Sequence, residues 1–182
     1  MIKYIIAIFI SAVISYLLGS CNSSIITVKL LKGEDIRKFG SGNAGLTNTL
    51  RCFGKLPALF TLIGDLLKGV IAVFICKFIC TLLDAGIGLD GDIRYIGYIA
   101  GLFAVIGHIF PVYYGFKGGK GVLVGVSVFL VIDPAVFGIL IFIFAVTLIL
   151  THYVSVSSIT ASVCCPIVTF LMRYFIEGIS IE

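Results

Sequence analysis

The residues best suited to chemistry fall in three polar intervals. The longest, GEDIRKFGSGNAGLTNTLR at 33–51, sets Gly33, Gly40, Gly42 and Gly45 among Ser41, Asn43, Thr47 and Asn48, bracketed by Arg37, Lys38 and Arg51. Glycine lets backbone N–H groups turn toward one point and cup an anion. Short hydroxyl and amide side chains are expected to cap a helix beginning near Gly45, whose dipole favours negative charge at that end. Arg51 adds a planar fork that fits phosphate oxygens. The second interval, YGFKGGKG at 114–121, places Lys117 and Lys120 around Gly118 and Gly119, with Gly121 closing it. It lacks the GxxxxGK[ST] spacing of a nucleotide P-loop. In the third, THYVSVSS at 151–158, Ser155, Ser157 and Ser158 either donate to phosphate or cap the following helix, capping being the simpler role. The chemistry these types point to is phosphate binding at a membrane surface.

The elements that must position these intervals are apolar. The 182 residues are 60% hydrophobic and 12% charged, about half the charged share of a soluble domain. A span needs about 20 residues, so the length allows about six transmembrane helices with short connections and no separate soluble domain. The expected fold is all-α: a polytopic helical membrane protein forming a single domain over 1–182. The spans are predicted at 2–26, from Gly45 through Pro57 to Leu83, at 95–113, from the second polar interval to Asp133-Pro134, at 135–150 and at 159–175. A polar turn with Asp84, Asp90 and Asp92 occupies 84–94, and GISIE closes the chain. Nucleic acid is not an expected partner, because no basic stripe interleaves with aromatics.

Lysine and arginine counts set the orientation. Residues 29–55 hold Lys29, Lys32, Arg37, Lys38, Arg51 and Lys55, and 114–121 hold Lys117 and Lys120, whereas 84–94 hold only Arg94 against three aspartates. The basic loops are therefore expected in the cytoplasm and the N-terminus outside, so that all three polar intervals share one face. Leu18-Gly19-Ser20-Cys21 imitates a lipoprotein cleavage site. Cleavage there would carry the basic segment outward, so a retained first span is the better reading. The six cysteines, including Cys76 and Cys80 one helical turn apart, have no metal-ligand spacing and read as small buried thiols.

Asp65 and Lys68 lie three apart inside a predicted span. An intramembrane carboxylate costs about 2.5–3.5 kcal/mol unless paired, so either a mutual Asp65–Lys68 pair or support beneath the cationic loop is expected. His108 and His152 are the two natural titrators near neutrality. His108, just before Phe110-Pro111 at a span end, is read as a structural hydrogen-bonding residue rather than a base.

GSGNAGLTNTLR at 40–51, GHIFPVYYGFKGGKGV at 107–122 and YVSVSSI at 153–159, with smaller matches at Gly19-Ser20, 33–37 and 65–69, resemble the bacterial membrane acyl-phosphate:glycerol-3-phosphate acyltransferase family. The similarity runs through nearly the whole chain in the family's order. It implies transfer of a fatty acyl group from acyl phosphate to a hydroxyl of glycerol 3-phosphate, giving lysophosphatidic acid, in a multi-span enzyme of the inner membrane with about seven helices. It implies no metal and no organic cofactor. A soluble enzyme that supplies acyl phosphate is an implied functional partner. The resemblance also implies that the donor's own phosphate takes the proton, in keeping with the absence of a Ser–His–Asp set.

On this reading both substrates bring phosphates of about −1.5 to −2 charge, which repel and need several cations and donors. Ser41, Gly40, Gly42, Asn43, Thr47 and Asn48 would bind one phosphate with Arg51 clamping it. Lys117 and Lys120, on the flexible Gly118, Gly119 and Gly121 segment, would meet the second phosphate and the developing oxyanion. Asp65, Lys68, His108, Ser155 and Ser158 are supporting candidates. Two departures stand out. Leu46 replaces the alanine usual in the first motif, and the chain ends at Glu182 with no counterpart of the family's further helix and its His-x-x-Asn segment. The departures leave room for two other classes: an inactive relative that binds phosphorylated ligands, or a transporter of a phosphorylated solute. The latter finds no support in an internal repeat.

Overall fold

The computed structural model describes residues 2–83 and 94–176, with side chains from 2–83, 95–175. The polar turn expected at 84–94, with its three aspartates, and the GISIE tail fall outside the described side chains. Every regular element among the described residues is helical. The chain forms two compact units, the first ending at Ile132 and the second beginning at Asp133.

In the first unit, helix α1 (Ile2–Ser20) does not run on to residue 26 as expected. Asn22 adopts an extended conformation and its side-chain oxygen accepts the Ile25 N–H, so a new helix, α2 (Ser23–Lys32), starts there. Asparagine stabilises a fresh N-terminus better than a helix interior, which accounts for the break. Gly33, in the left-handed region, ends α2 by donating to the Lys29 carbonyl. A short 3-10 turn, Ile36–Lys38, precedes α3 (Leu46–Phe53). The single helix expected from Gly45 to Leu83 is likewise two: α3 stops at Gly54 (φ 83°), and α4 (Lys55–Leu82) follows. Helix α5 (Arg94–Ile109), a 3-10 turn at Val112–Tyr114 and α6 (Val122–Ile132) complete the unit.

Helix α4 is the hub, packing against α1, α2, α3, α5 and α6. Its Val73, Cys76 and Cys80 join Ala7, Ile96, Ala100, Val128 and Ile132 in the main apolar cluster. The Cys76 and Cys80 thiols are buried as expected, with Cys76 Sγ 3.1 Å from Ser15 Oγ, but Cys21 is exposed at a helix break and Cys52, Cys164 and Cys165 are only half-buried, against the expectation of buried thiols throughout. Helices α1 and α5 touch backbone to backbone: a Cβ on Gly107 would fall 2.2 Å from the Tyr16 carbonyl oxygen. Small residues at such crossings are the usual device where lipid removes a hydrophobic drive between helices.

The second unit is a helical hairpin of α7 (Pro134–Thr151) packed on α8 (Val154–Ile176). Asp133 caps α7 by accepting the Val136 N–H at 3.2 Å, with Pro134 in the first turn where its missing N–H costs nothing. His152, exposed and left-handed (φ 58°), ends α7.

Five helical stretches among the described residues are long and apolar enough to cross a bilayer, and α6, of 11 residues, is shorter. At 1.5 Å per residue α6 spans about 16 Å, roughly half the hydrocarbon thickness. The burial pattern is that of a protein solvated by lipid. Phe9, Phe78 and Phe142 are more than 60% exposed, while Ser11, Ser15, Thr61, Asp65, Lys68, His108 and Ser127 are buried.

Candidate active site

The site is built up from a buried polar cluster where α4 and α5 approach the end of α1. Asp65 and Lys68 form the expected mutual pair, with Lys68 Nζ 2.9 Å from Asp65 Oδ1 and both side chains almost fully buried. The approach is oblique, an ion-pair contact without an aligned hydrogen bond. Lys68 also donates to the Cys21 carbonyl (3.2 Å), at the break between α1 and α2, and lies 2.7 Å from His108 Nδ1 on α5. His108 is buried.

Directly on this cluster sit the two glycine-rich loops. The Gly118 N–H donates to the Ile109 carbonyl and the Gly119 N–H to the His108 carbonyl, both at 3.1 Å, so the second loop folds back and satisfies the end of α5. A Cβ at Gly119 would lie 2.2 Å from His108 Nε2 and 2.4 Å from the Ala44 carbonyl oxygen, so only glycine fits between imidazole and first loop. The Ala44 N–H reaches the Gly118 carbonyl at 3.4 Å, and the Asn22 amide donates to the Ala44 carbonyl at 3.3 Å. The segments carrying Ser41 and Lys120 are thereby neighbours.

Arg37, read in the sequence as one of several loop cations, is a second tie between the loops. Its guanidinium pairs with Asp35 (Nη2–Oδ2 2.7 Å) and donates to the Tyr114 carbonyl at 2.6 Å, with a longer 3.5 Å reach to the Lys117 carbonyl. The hydrogen bond from Arg37 holds the Asp35 carboxyl below its ordinary range, against a smaller opposing effect of burial, and raises Arg37 in turn. The sequence carried a signal for this pairing in the i, i+2 spacing of Asp35 and Arg37, but none for the partner carbonyls about eighty residues away.

The backbone nest expected in the first loop is closed on itself. Ser41 N–H donates to Asn48 Oδ1 (3.1 Å), Gly42 N–H to the Phe39 carbonyl (3.0 Å) and Gly45 N–H to the Asn43 carbonyl (3.0 Å). Asn48 is buried and its amide N donates to the Phe39 carbonyl, so it braces the loop instead of offering a donor outward. Gly40 packs its Cα against Asn48 and Cys52. Gly118 and Gly119 have spent their N–H groups on α5, and Gly121 (φ 76°) turns the chain into α6. The N-cap of α3 is Gly45, which has no side chain, so the side-chain cap that was expected is absent.

What faces outward is a set of side chains. Ser41, Thr47, Arg51, Lys117 and Lys120 are exposed, and their side chains make no hydrogen bond or ion pair among the described residues; Asn43 is half-buried. With the first turn of α3, which has no side-chain cap, they form a cationic, donor-rich surface above the buried Asp65–Lys68–His108 cluster. In the second unit, Ser157 and Ser158 donate back to the carbonyls of Tyr153 (2.9 Å) and Val154 (2.8 Å). They, and exposed Ser155, therefore lie within α8 and do not cap it. No group of His, Cys, Asp and Glu side chains suited to hold a metal ion occurs among the described residues.

Comparisons with known proteins identify the family. The family described as glycerol-3-phosphate acyltransferase matches residues 9–181. A glycerol-3-phosphate acyltransferase of Staphylococcus saprophyticus is 42% identical over 172 residues, covering 93% of this chain and 82% of the relative. One of Clostridioides difficile is 39% identical over 169 residues, covering 93% and 80%. Among solved structures, PlsY (YgiH), an integral membrane glycerol 3-phosphate acyltransferase, superposes in its glycerol 3-phosphate form with a TM-score of 0.77 at 32% identity, covering 94% of this chain and 80% of that one. Its lysophosphatidic acid form gives 0.74 at 30% identity, covering 92% and 78%. The chain, an integral membrane protein by its helices and its relatives, belongs to the glycerol-3-phosphate acyltransferase family.

Proposed function

We propose that this protein transfers a fatty acyl group from acyl phosphate to glycerol 3-phosphate, releasing lysophosphatidic acid and inorganic phosphate. The observation that carries the reading is the junction of the two loops through Ala44 and Gly118. It brings the two glycine-rich loops into contact, and a site shared by the exposed Arg51, Lys117 and Lys120 would supply the positive charge that two mutually repelling phosphates require. Relatives and solved neighbours named for glycerol 3-phosphate acylation support the acceptor. The doubled cationic loops support an acyl phosphate donor, whose phosphate sits directly on the reacting carbonyl, whereas the phosphates of a coenzyme A thioester lie far from it.

Ser41, Thr47, Arg51 and the first turn of α3 hold the acceptor phosphate. Lys117, Lys120 and the first turn of α6 hold the donor. The acceptor hydroxyl oxygen attacks the acyl carbonyl carbon, and the carbon–oxygen bond to phosphate breaks. The hydroxyl proton leaves on the departing phosphate. Lysine ammonium groups stabilise the oxyanion as it forms. The acyl chain stays among the apolar helices, at the cytoplasmic face of a bacterial inner membrane with the N-terminus outside. A soluble enzyme delivers the acyl phosphate.

The test uses purified protein in lipid nanodiscs with acyl phosphate and labelled glycerol 3-phosphate. Labelled lysophosphatidate and stoichiometric phosphate are expected. Product from acyl-CoA but not acyl phosphate would overturn the donor. Solute uptake into sealed vesicles with no acyl product would make the protein a transporter, and binding without turnover an inactive relative.

A further inference from the structure

The buried cluster of Asp65, Lys68 and His108 carries an inference that rests on this reading of the loops and deepens it. Lys68 is paired with a carboxylate at 2.9 Å and is therefore an ammonium, which has donors and no lone pair. His108 Nδ1, at 2.7 Å from Nζ, must accept from it. The alternative, a proton on Nδ1 donated to Asp65, is disfavoured by the 3.6 Å separation, which exceeds hydrogen-bond reach. The imidazole is then neutral with its proton on Nε2. That edge of the ring is the one against Gly119 Cα and facing the Ala44 carbonyl, the point where the loops meet.

We propose that Asp65, Lys68 and His108 are positioning residues: one carboxylate, one ammonium and one neutral imidazole, netting zero charge, that fix how closely the phosphate-binding loops approach. Lys68 locks the ring from behind while also holding the Cys21 carbonyl, and so ties α1, α4 and α5 into one floor. The other ring edge sets the seat of Gly119, one residue before Lys120. The charged groups facing the imidazole are Asp65 and Lys68 from α4; the exposed Cys21, just past the end of α1, lies beside Lys68, and the second loop carries the exposed Lys117 and Lys120.

Two readouts test the proposal. In kinetics, His108→Leu removes the acceptor for Lys68, and the KM for acyl phosphate, whose lysine loop the ring seats, is expected to rise roughly tenfold with a smaller change in kcat. His108→Asn, whose side-chain oxygen can take the place of Nδ1, is expected to recover most of that loss. His108→Gln, which places its amide at the Nε2 position, is not. In spectroscopy, ¹⁵N-histidine-labelled protein in nanodiscs, with His152→Gln used for assignment, should show the neutral Nε2–H tautomer for His108 at neutral pH. Lys68→Met should release that tautomer preference even if the variant is less stable. Unchanged kinetics in His108→Leu, or equal loss in the asparagine and leucine variants, would overturn the positioning role. So would an Nδ1–H or doubly protonated ring. Wild-type protein that forms no lysophosphatidate would refute the catalytic reading instead, and the spectra would then decide the cluster alone.

Discussion

Lys68→Met offers the sharpest test of how the floor of the site is held. The side chain is 6% exposed and serves Asp65, the Cys21 carbonyl and His108 Nδ1 together. Methionine keeps the length and removes the charge, leaving the 1%-exposed Asp65 carboxylate without its partner. Breaking a buried ion pair on one side costs about 3–5 kcal/mol. For a chain of this size each kcal/mol shifts Tm by about 2–4 °C, so a drop of about 6–20 °C is expected. Asp65→Leu with Lys68→Met removes the orphaned charge as well. The two acceptors on Cys21 and His108 still go short, at about 1–3 kcal/mol. The double variant should therefore melt higher than Lys68→Met alone, by about 4–8 °C on a 2 kcal/mol difference. Thermal unfolding in one detergent, followed by the loss of monodisperse protein, measures both. A Lys68→Met variant melting within about 2 °C of wild type, or a double variant melting below the single, would refute the assignment of a stabilising charge balance to this cluster.

Three further outcomes follow from the same geometry. Gly119→Ala puts a Cβ within 2.4 Å of both His108 Nε2 and the Ala44 carbonyl oxygen, and turnover should fall about 10²-fold as the loops are pushed apart; a near-wild-type rate would mean the seat has slack. Arg51→Ala and Lys120→Ala should each lower turnover about 10²-fold or more, and a variant that does not is removed from the proposed site. Asp35 has a depressed carboxyl range in the folded state, so its bond with Arg37 adds stability that is fully present above the ordinary value of 3.8 and is lost as pH falls below it. Melting curves of wild type and Asp35→Asn should differ near neutral pH and converge in acid. Curves that stay parallel through that range would show that the pair does not brace the loops.

The helical architecture was legible because apolar runs and their flanking charges are physically coupled to the bilayer. The two breaks were not, although their marks are in the chain. Asn22-Ser23-Ser24 is an N-terminal pattern, and Gly54 stands three residues before Pro57, which fits a first helical turn. Both marks lie within stretches hydrophobic enough to read as continuous spans, so the demand for about 20 apolar residues masked them. Their consequence is functional. The break at Cys21 exposes the carbonyl that Lys68 takes, and the break at Gly54 separates α3, with its buried Asn48 and Thr49, from α4.

In the site the residue types were legible and their directions were not. A glycine-rich loop at a helix start suggests amides turned toward an anion, but amides also serve the protein, and here the N–H groups of Ser41, Gly42, Gly45, Gly118 and Gly119 do so. Gly42 and Gly45 spend theirs within tight local turns, on Phe39 and Asn43, which glycine spacing alone does not announce, while the acceptors on Asn48, Ile109 and His108 come into reach only when each loop folds back on its helix. The Lys68–His108 contact, forty residues apart, was hidden because its two helices become neighbours only on packing. The redistribution changes how phosphate must be held. A nest of backbone amides would tolerate side-chain replacement around it. With those amides committed, recognition on the proposed reading falls to Ser41, Thr47, Arg51, Lys117, Lys120 and the first turns of α3 and α6. Such a site gains affinity only where its backbone is held still, since long side chains lose rotamer freedom on binding. The self-bonded loops and the neutral floor under them are the structural answer to that cost: they fix the five anchoring positions so that only side-chain freedom is left to be spent.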